Sequence, residues 1–323
     1  MLRKLRRVAL VVLVGYIVLC LVSAVVLSEM TVHLPRKPVQ HRAEFAGVVQ
    51  EQFHAELADV SITADDGAVL KAWYVQPQKA NGAAVILLHG VTDNREGVSG
   101  FARMFLNRGY TVLLPDARAH GESGGDLATY GIKERYDTQR WAEWLEQRNP
   151  GCMYLFGESM GAAIALEATA VTPKLCAVAV ESPYSTFREI AYDRFTRHTY
   201  LPSWIARTLL RPALELALTY TRWRYDLDLL RADPQAALAS SRVPALLIAG
   251  TADRNIPPRH AESIMRVAGS HAELWEVKGA VHGGAVSVAP EEFEKRILTW
   301  FATHPRSPAQ LGTGYSFLPD LRG

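Results

Sequence analysis

The stretch Met153-Tyr154-Leu155-Phe156-Gly157-Glu158-Ser159-Met160-Gly161-Ala162-Ala163-Ile164-Ala165-Leu166-Glu167-Ala168 decides how this chain is read. Its first four residues are apolar and read as a buried strand. Its last seven are small and mostly apolar and read as a helix. Between them Gly157–Gly161 fits G-x-S-x-G, in the strand–turn–helix setting that the motif requires. The two glycines allow a tight turn and a close approach of helix to strand. Such a turn lifts the Ser159 hydroxyl clear of the sheet and aims the first N–H groups of the helix at whatever that hydroxyl attacks. A Ser hydroxyl alone is a poor nucleophile, so the reading demands a His base and a carboxylate to orient it.

A second segment, Gly121-Glu122-Ser123-Gly124-Gly125, matches the same pattern. It follows the polar Asp116-Ala117-Arg118-Ala119-His120 and precedes Asp126-Leu127-Ala128-Thr129-Tyr130-Gly131, which is loop chemistry. Lacking both strand and helix, Ser123 reads as a loop residue.

Outward from the first motif, apolar strands alternate with amphipathic helices. Strands are expected near Ala83–Leu88, Tyr110–Pro115, Cys152–Phe156, Ala177–Glu181, Pro244–Ala249 and Glu273–Val277, after a hairpin formed by Asp59–Ala64 and Leu70–Gln76 around Asp65-Asp66-Gly67. Helices are expected near Gly100–Arg108, Lys133–Gln147, Gly161–Thr169, Pro258–Ala268 and Pro290–Thr303. This alternation predicts an α/β fold with a mostly parallel sheet covered on both faces. Residues 184–232 break it. They read as helical, hold nine of the 29 Phe, Trp and Tyr residues, and carry eight basic against five acidic side chains. They are expected to form a cap over the C-terminal ends of the strands.

In open α/β sheets, sites gather at those ends. The strand through Ala249 runs into Gly250-Thr251-Ala252-Asp253, and the strand through Val277 runs into Lys278-Gly279-Ala280-Val281-His282. The order Ser159, Asp253, His282 is the one a nucleophile elbow predicts, with His282 as base and Asp253 orienting it. Asp226 and Asp228, beyond the cap helices, are weaker choices. Met160 N–H, and Val91 N–H in the loop after Leu88, are the expected oxyanion donors. Asp116 and Arg118 read as a structural ion pair.

The 323 residues are 49% hydrophobic and 21% charged, which suits a folded protein with a large core. A formal charge of +2 gives no case for nucleic-acid binding. No cysteine–histidine cluster points to a metal, and no N-x-S/T sequon occurs. Val8 to Leu27 is an uncharged, predominantly apolar run of 20 residues. At 1.5 Å per residue it spans roughly 30 Å, the hydrocarbon thickness of a bilayer. Arg3, Lys4, Arg6 and Arg7 before it place the N-terminus in the cytoplasm and the rest on the far side. Residues 1–27 therefore read as an uncleaved signal anchor, a cleaved signal peptide being the competing reading. Because the run contributes no strand, its removal is expected to leave an active domain. Residues 28–57 read as a polar tether, 58–183 and 233–304 as the core, and 305–323 as a tail.

His89-Gly90, Asp116-x-Arg118-x-His120-Gly121-x-Ser123, the Gly157–Gly161 turn, Gly250-x-x-Asp253 and His282 together resemble the α/β-hydrolase superfamily, over roughly residues 59–303. The pattern is most similar to the serine-aminopeptidase-like and monoacylglycerol-lipase-like branch, membrane-anchored members included. That branch usually has Asp-x-Arg-Gly-His-Gly where this chain has Ala119 in place of the glycine. The resemblance implies an eight-stranded α/β-hydrolase fold with a helical lid and a cofactor-free hydrolase. The reading is then a membrane-anchored serine hydrolase of carboxylic esters, lipid esters included. The alternatives are a silent domain that binds a ligand or partner, and a peptidase or amidase. Phe187, Tyr192, Phe195, Trp204 and Trp223 of the cap are expected to line an acyl pocket. In this fold the strands that begin near Cys152 and Cys176 are neighbours. Two buried free thiols are the favoured state, and a disulfide is the alternative if the domain lies outside the cytoplasm.

Overall fold

The computed structural model describes residues 1–148, 150–199 and 202–306. Strands β1 (Leu57–Thr63), β2 (Val69–Val75), β3 (Ala83–Leu88), β4 (Thr111–Pro115), β5 (Cys152–Glu158), β6 (Ala177–Glu181), β7 (Ala245–Gly250) and β8 (Ala272–Val277) form one sheet in the order β1-β2-β4-β3-β5-β6-β7-β8. Only β2 runs against its neighbours. From β4 to β8 every pairing is parallel, as long crossover connections require. Strands β3 to β7 are almost wholly buried, which explains their unbroken apolar sequences.

The helices are α1 (Leu2–Val32), α2 (Arg42–Phe53), α3 (Ser99–Leu106), α4 (Glu134–Glu146), α5 (Met160–Thr169), α6 (Phe187–Thr199), α7 (Ser203–Ala206), α8 (Arg211–Tyr225), α9 (Pro234–Ser240), α10 (Arg259–Ala268), α11 (Ala285–Val288) and α12 (Pro290–Thr303). One face of the sheet packs on α2, α3 and α12 through Val49, Phe105, Phe293, Ile297 and Phe301. The other packs on α4, α5, α9 and α10 through Trp141, Leu145, Ile164, Leu238 and Ile264. A third apolar cluster, with Tyr184, Phe187, Ile190, Leu218 and Leu229, joins α6 and α8 to the sheet's C-terminal edge.

Four expectations need correction. Residues 28–57 are not a loose tether. α1 continues to Val32, and α2 buries Phe45, Val49 and Phe53, spaced at four residues, against the sheet, with Phe45 stacked on Trp73 at 5.4 Å. The run expected to be a separable anchor is also part of the fold, because α1 packs along α8. Its buried positions Cys20, Ala24, Ser28 and Val32 recur every four residues. Asp116 and Arg118 do not pair with each other. Asp116 holds Arg95 at 2.6 Å, and Arg118 holds Asp137 at 2.6 Å and Asp66 at 2.8 Å, each side chain taking partners from other elements. Cys152 and Cys176 are bridged, not free, since β5 and β6 start side by side with the two Cα atoms 5.8 Å apart. Of the expected tail, residues 307–323 lie outside the described residues.

Candidate active site

Strand β5 is buried on both faces and ends at the turn into α5. Ser159 occupies that turn with φ 58 and ψ −114, a conformation non-glycine residues rarely hold. The neighbouring glycines explain how it is held. A Cβ on Gly157 would collide with the Gly161 carbonyl, and one on Gly161 with the Leu88 carbonyl. The Ser159 N–H donates to the Glu181 carbonyl at 2.9 Å, which fixes the turn to β6.

The loops after β7 and β8 meet at this turn. His282 Nε2 lies 3.0 Å from Ser159 Oγ. His282 Nδ1 lies 2.8 Å from Asp253 Oδ2. The other oxygen, Asp253 Oδ1, accepts the N–H groups of Asn255 at 2.8 Å and Ile256 at 2.9 Å. Burial pushes the Asp253 carboxyl up, but the bonds from His282 and from the Ile256 N–H outweigh it and hold the carboxyl below its ordinary value. Asp253 is thus an ionised acceptor, so Nδ1 carries the proton and Nε2 faces the Ser159 hydroxyl as the acceptor.

The loop after β3 closes the other side. His89 Nε2 accepts the Ala117 N–H at 3.0 Å, so its Nδ1 donates to the Gly90 carbonyl at 2.8 Å. Burial, with His120 beside it, lowers His89 to about 4, and it stays a neutral brace for the loop. Val91 and Met160 line one cavity together with Ser159. Among the described residues, neither the Val91 N–H nor the Met160 N–H meets a backbone acceptor. Both donors therefore remain available to an oxygen at the turn.

Two carboxyls that the sequence reading passed over lie behind the site. Glu158 and Glu181 face each other in the β5–β6 register. Burial raises both, Glu181 to about 7, with Glu158 and Asp253 adding like-charge pressure on Glu181. Glu181 Oε1 accepts the Ala285 N–H at 2.8 Å and so anchors the segment that follows His282. The signal for this role was present as two acidic residues at the ends of otherwise apolar strands.

Over Ser159 lies an apolar cavity of about 700 Å³, within the range of roughly 300–1,000 Å³ that suits small-molecule ligands. Phe187 and Phe195 line it. Tyr192 is buried but turned aside, its hydroxyl donating to Glu215 at 3.1 Å. Trp204 and Trp223 are 63% and 79% exposed and do not line it, because they stand on outward faces of α7 and α8. The helix α8 presents Leu214, Ala217, Leu218 and Thr221 instead. Among the described residues no cluster of ligating side chains is arranged for a metal ion.

The sheet order and a strained serine between β5 and α5 define an α/β protein of the hydrolase kind. The sequence pattern of the alpha/beta hydrolase family matches residues 85–296, and the chain belongs to that family. Among solved structures it resembles the esterase Pf2001 of Pyrococcus furiosus, with a TM-score of 0.68 and 25% identity over 85% of this chain and 98% of that one. Among curated proteins it is similar to the uncharacterized protein YqkD of Bacillus subtilis, at 26% identity over 72% of this chain and 74% of that protein. It is also similar to the uncharacterized protein YfhR of Escherichia coli, at 26% identity over 71% of this chain and 74% of that protein.

Proposed function

We propose that this protein is a membrane-anchored serine hydrolase that cleaves carboxylic esters through an acyl-enzyme. The observation that carries the reading is the chain of contacts Ser159 Oγ–His282 Nε2 at 3.0 Å and His282 Nδ1–Asp253 Oδ2 at 2.8 Å, beneath a large apolar cavity. Its similarity to a Pyrococcus furiosus esterase agrees with ester chemistry. Ser159 attacks the acyl carbonyl while His282 takes the hydroxyl proton. Asp253 holds the imidazole and stabilises its charged form. The Met160 and Val91 N–H groups receive the developing oxyanion, each worth roughly 3 kcal/mol of barrier. His282 returns the proton to the leaving alcohol. It then activates a water that releases the acid and restores Ser159. Phe187 and Phe195 offer apolar surface to the acyl group.

Among the described residues one helix, α1, is long and apolar enough to cross a membrane. Cleavage as a signal peptide would strip Tyr16, Cys20 and Ala24 from α8, so an uncleaved anchor accords better with the packing. The basic N-terminus and the Cys152–Cys176 disulfide agree on a catalytic domain outside the cytoplasm, where disulfides persist. A fluorophosphonate probe tests the reading. Labelling confined to Ser159, with hydrolysis of p-nitrophenyl esters, is the expected result. An unlabelled protein that hydrolyses no ester would instead support a silent binding domain.

A further inference from the structure

The cavity over Ser159 has a wall that belongs to neither sheet nor cap. Leu27, Ser28, Met30 and Thr31, in the last turns of α1, line it, as does Leu34 just beyond. They face Leu214, Ala217, Leu218 and Thr221 of α8 and the aromatic side of α6.

The wall is fixed at three levels. The Tyr16 hydroxyl donates to the Leu209 carbonyl at 2.6 Å, and Ser28 Oγ lies 2.6 Å from Thr221 Oγ1 in a buried contact. Both pairs are 193 residues apart in the chain, so α1 and α8 run parallel and in step. From Tyr16 to Ser28 the shared length is about 18 Å. Glu29 accepts the hydroxyls of Tyr220 and Tyr225, and the Tyr130 hydroxyl donates to the Thr31 carbonyl. Beyond the helix, Lys37 holds Asp93 at 2.6 Å, and Asn94 donates to the carbonyls of Lys37 and Pro38 at 3.1 Å. Asp93 and Asn94 sit two and three residues after Val91. The segment leaving α1 is therefore tied to the loop that carries the expected oxyanion donor.

Away from α8 the surface of α1 is bare and apolar. Val18, Leu21, Val22 and Val26 are about half exposed, and the cap beside them also exposes Leu209 and Leu216. An apolar surface of this extent on a spanning helix is what hydrocarbon covers. The cap shares that depth along the α1–α8 seam, and the cavity lies between the two helices.

Resting on the serine-hydrolase reading, we propose that α1 is the acyl-binding wall of the site and not only its anchor. The substrate class is then a long-chain carboxylic ester resident in the bilayer. Its chain lies between α1 and α8 while its carbonyl reaches Ser159. A short-chain ester needs the serine machinery but not this wall.

The test uses the full chain in phosphatidylcholine vesicles, with p-nitrophenyl palmitate and p-nitrophenyl acetate as substrates. Met30→Trp and Leu27→Trp narrow the cavity from the α1 side. Met30 is exposed enough for the larger ring to be accepted without unfolding. The expected result is a fall of at least about tenfold in kcat/KM for palmitate, with acetate hydrolysis within about twofold of wild type and Ser159 labelling unchanged. Val22→Trp, on the bare face of α1, should change neither rate. Equal effects on both esters, no effect on palmitate, or a palmitate loss in Val22→Trp as large as in Met30→Trp would each overturn the proposal. Absence of fluorophosphonate labelling in the wild-type protein would instead overturn the serine-hydrolase reading beneath it.

Discussion

Two segments of this chain spell the same five-residue pattern and end in opposite environments. Ser159 stands at φ 58 on a strand-to-helix turn, within reach of His282 and at the wall of a cavity. Ser123 is wholly buried, its hydroxyl donating to the Asp116 carbonyl at 2.8 Å and accepting the Lys71 N–H at 2.9 Å. One hydroxyl is kept available by backbone strain, while the other is used up in joining β2 to the loop after β4. Local spelling therefore carries little information. What separates the two is the strand before the glycine and the small-residue helix after it.

The largest effect should come from Ser159→Ala. Loss of the nucleophile is expected to lower kcat/KM for a simple ester by about 10⁴–10⁶-fold, with the unfolding midpoint in denaturant unchanged. Substantial turnover in that variant would erase the distinction between the two serines. Next comes Asp116→Asn, on the Ser123 side. Asp116 and Arg95 are both fully buried, and Asp116 also accepts the Arg95 and Glu122 N–H groups. Equilibrium unfolding should report a loss of about 3 kcal/mol, at the low end for a broken buried pair because Glu122 still reaches Arg95 at 2.7 Å.

Ser123→Ala should cost less, about 1–3 kcal/mol, by leaving the Lys71 N–H and the Asp116 carbonyl unpaired. Its turnover per folded molecule should stay near wild type. A variant that keeps its stability but loses activity would reverse the assignment of the two motifs.

The smallest effect concerns Glu181, whose carbonyl holds the Ser159 turn. Burial raises its carboxyl to about 7 from an ordinary value of 4.5. The folded state therefore binds a proton that the unfolded chain has already released. This contribution is fully present below about pH 4.5 and is lost as pH rises through about 7. Glu181→Gln should flatten that part of the stability profile and stabilise the protein at pH 8 by roughly 1 kcal/mol, less than the full shift because its amide gains a poorly paired buried group. An unchanged profile would mean that Glu181 does not titrate in this range.

The sheet was largely legible because its central strands are buried on both faces. Their apolar runs, from Ala83–Leu88 to Ala245–Gly250, sit within a residue or so of where the pattern suggested. Ser159 and Asp253 could be picked out because each follows such a strand, and His282 because it follows the edge strand β8, all at the edge where loops converge. The rest depended on partners distant in sequence. Phe45, Val49 and Phe53 form a helical stripe too sparse to stand out in a polar segment. Counting aromatics in the cap singled out Trp204 and Trp223 but said nothing of direction. The inward stripe of α8 is Leu214, Ala217, Leu218 and Thr221, and Trp223 lies off it. Asp116 and Arg118 read as a pair at the fourth strand, yet their partners Arg95 and Asp137 are delivered by other elements. Ala119, standing where the related pattern has glycine, takes φ 59, so the turn keeps its left-handed shape without the residue that adopts it most easily.

The parallel seam between α1 and α8 also has a consequence in time. α1 leaves the ribosome with its partner 193 residues downstream. At roughly 5–20 residues per second, about 10–40 s of synthesis separate the two. For that interval the stripe of Cys20, Ala24 and Ser28 lacks α8 to close against, and the chamber over the serine lacks that side. A wall made early is finished only when α8 arrives, so the enclosure cannot form on a chain whose synthesis stops before α8.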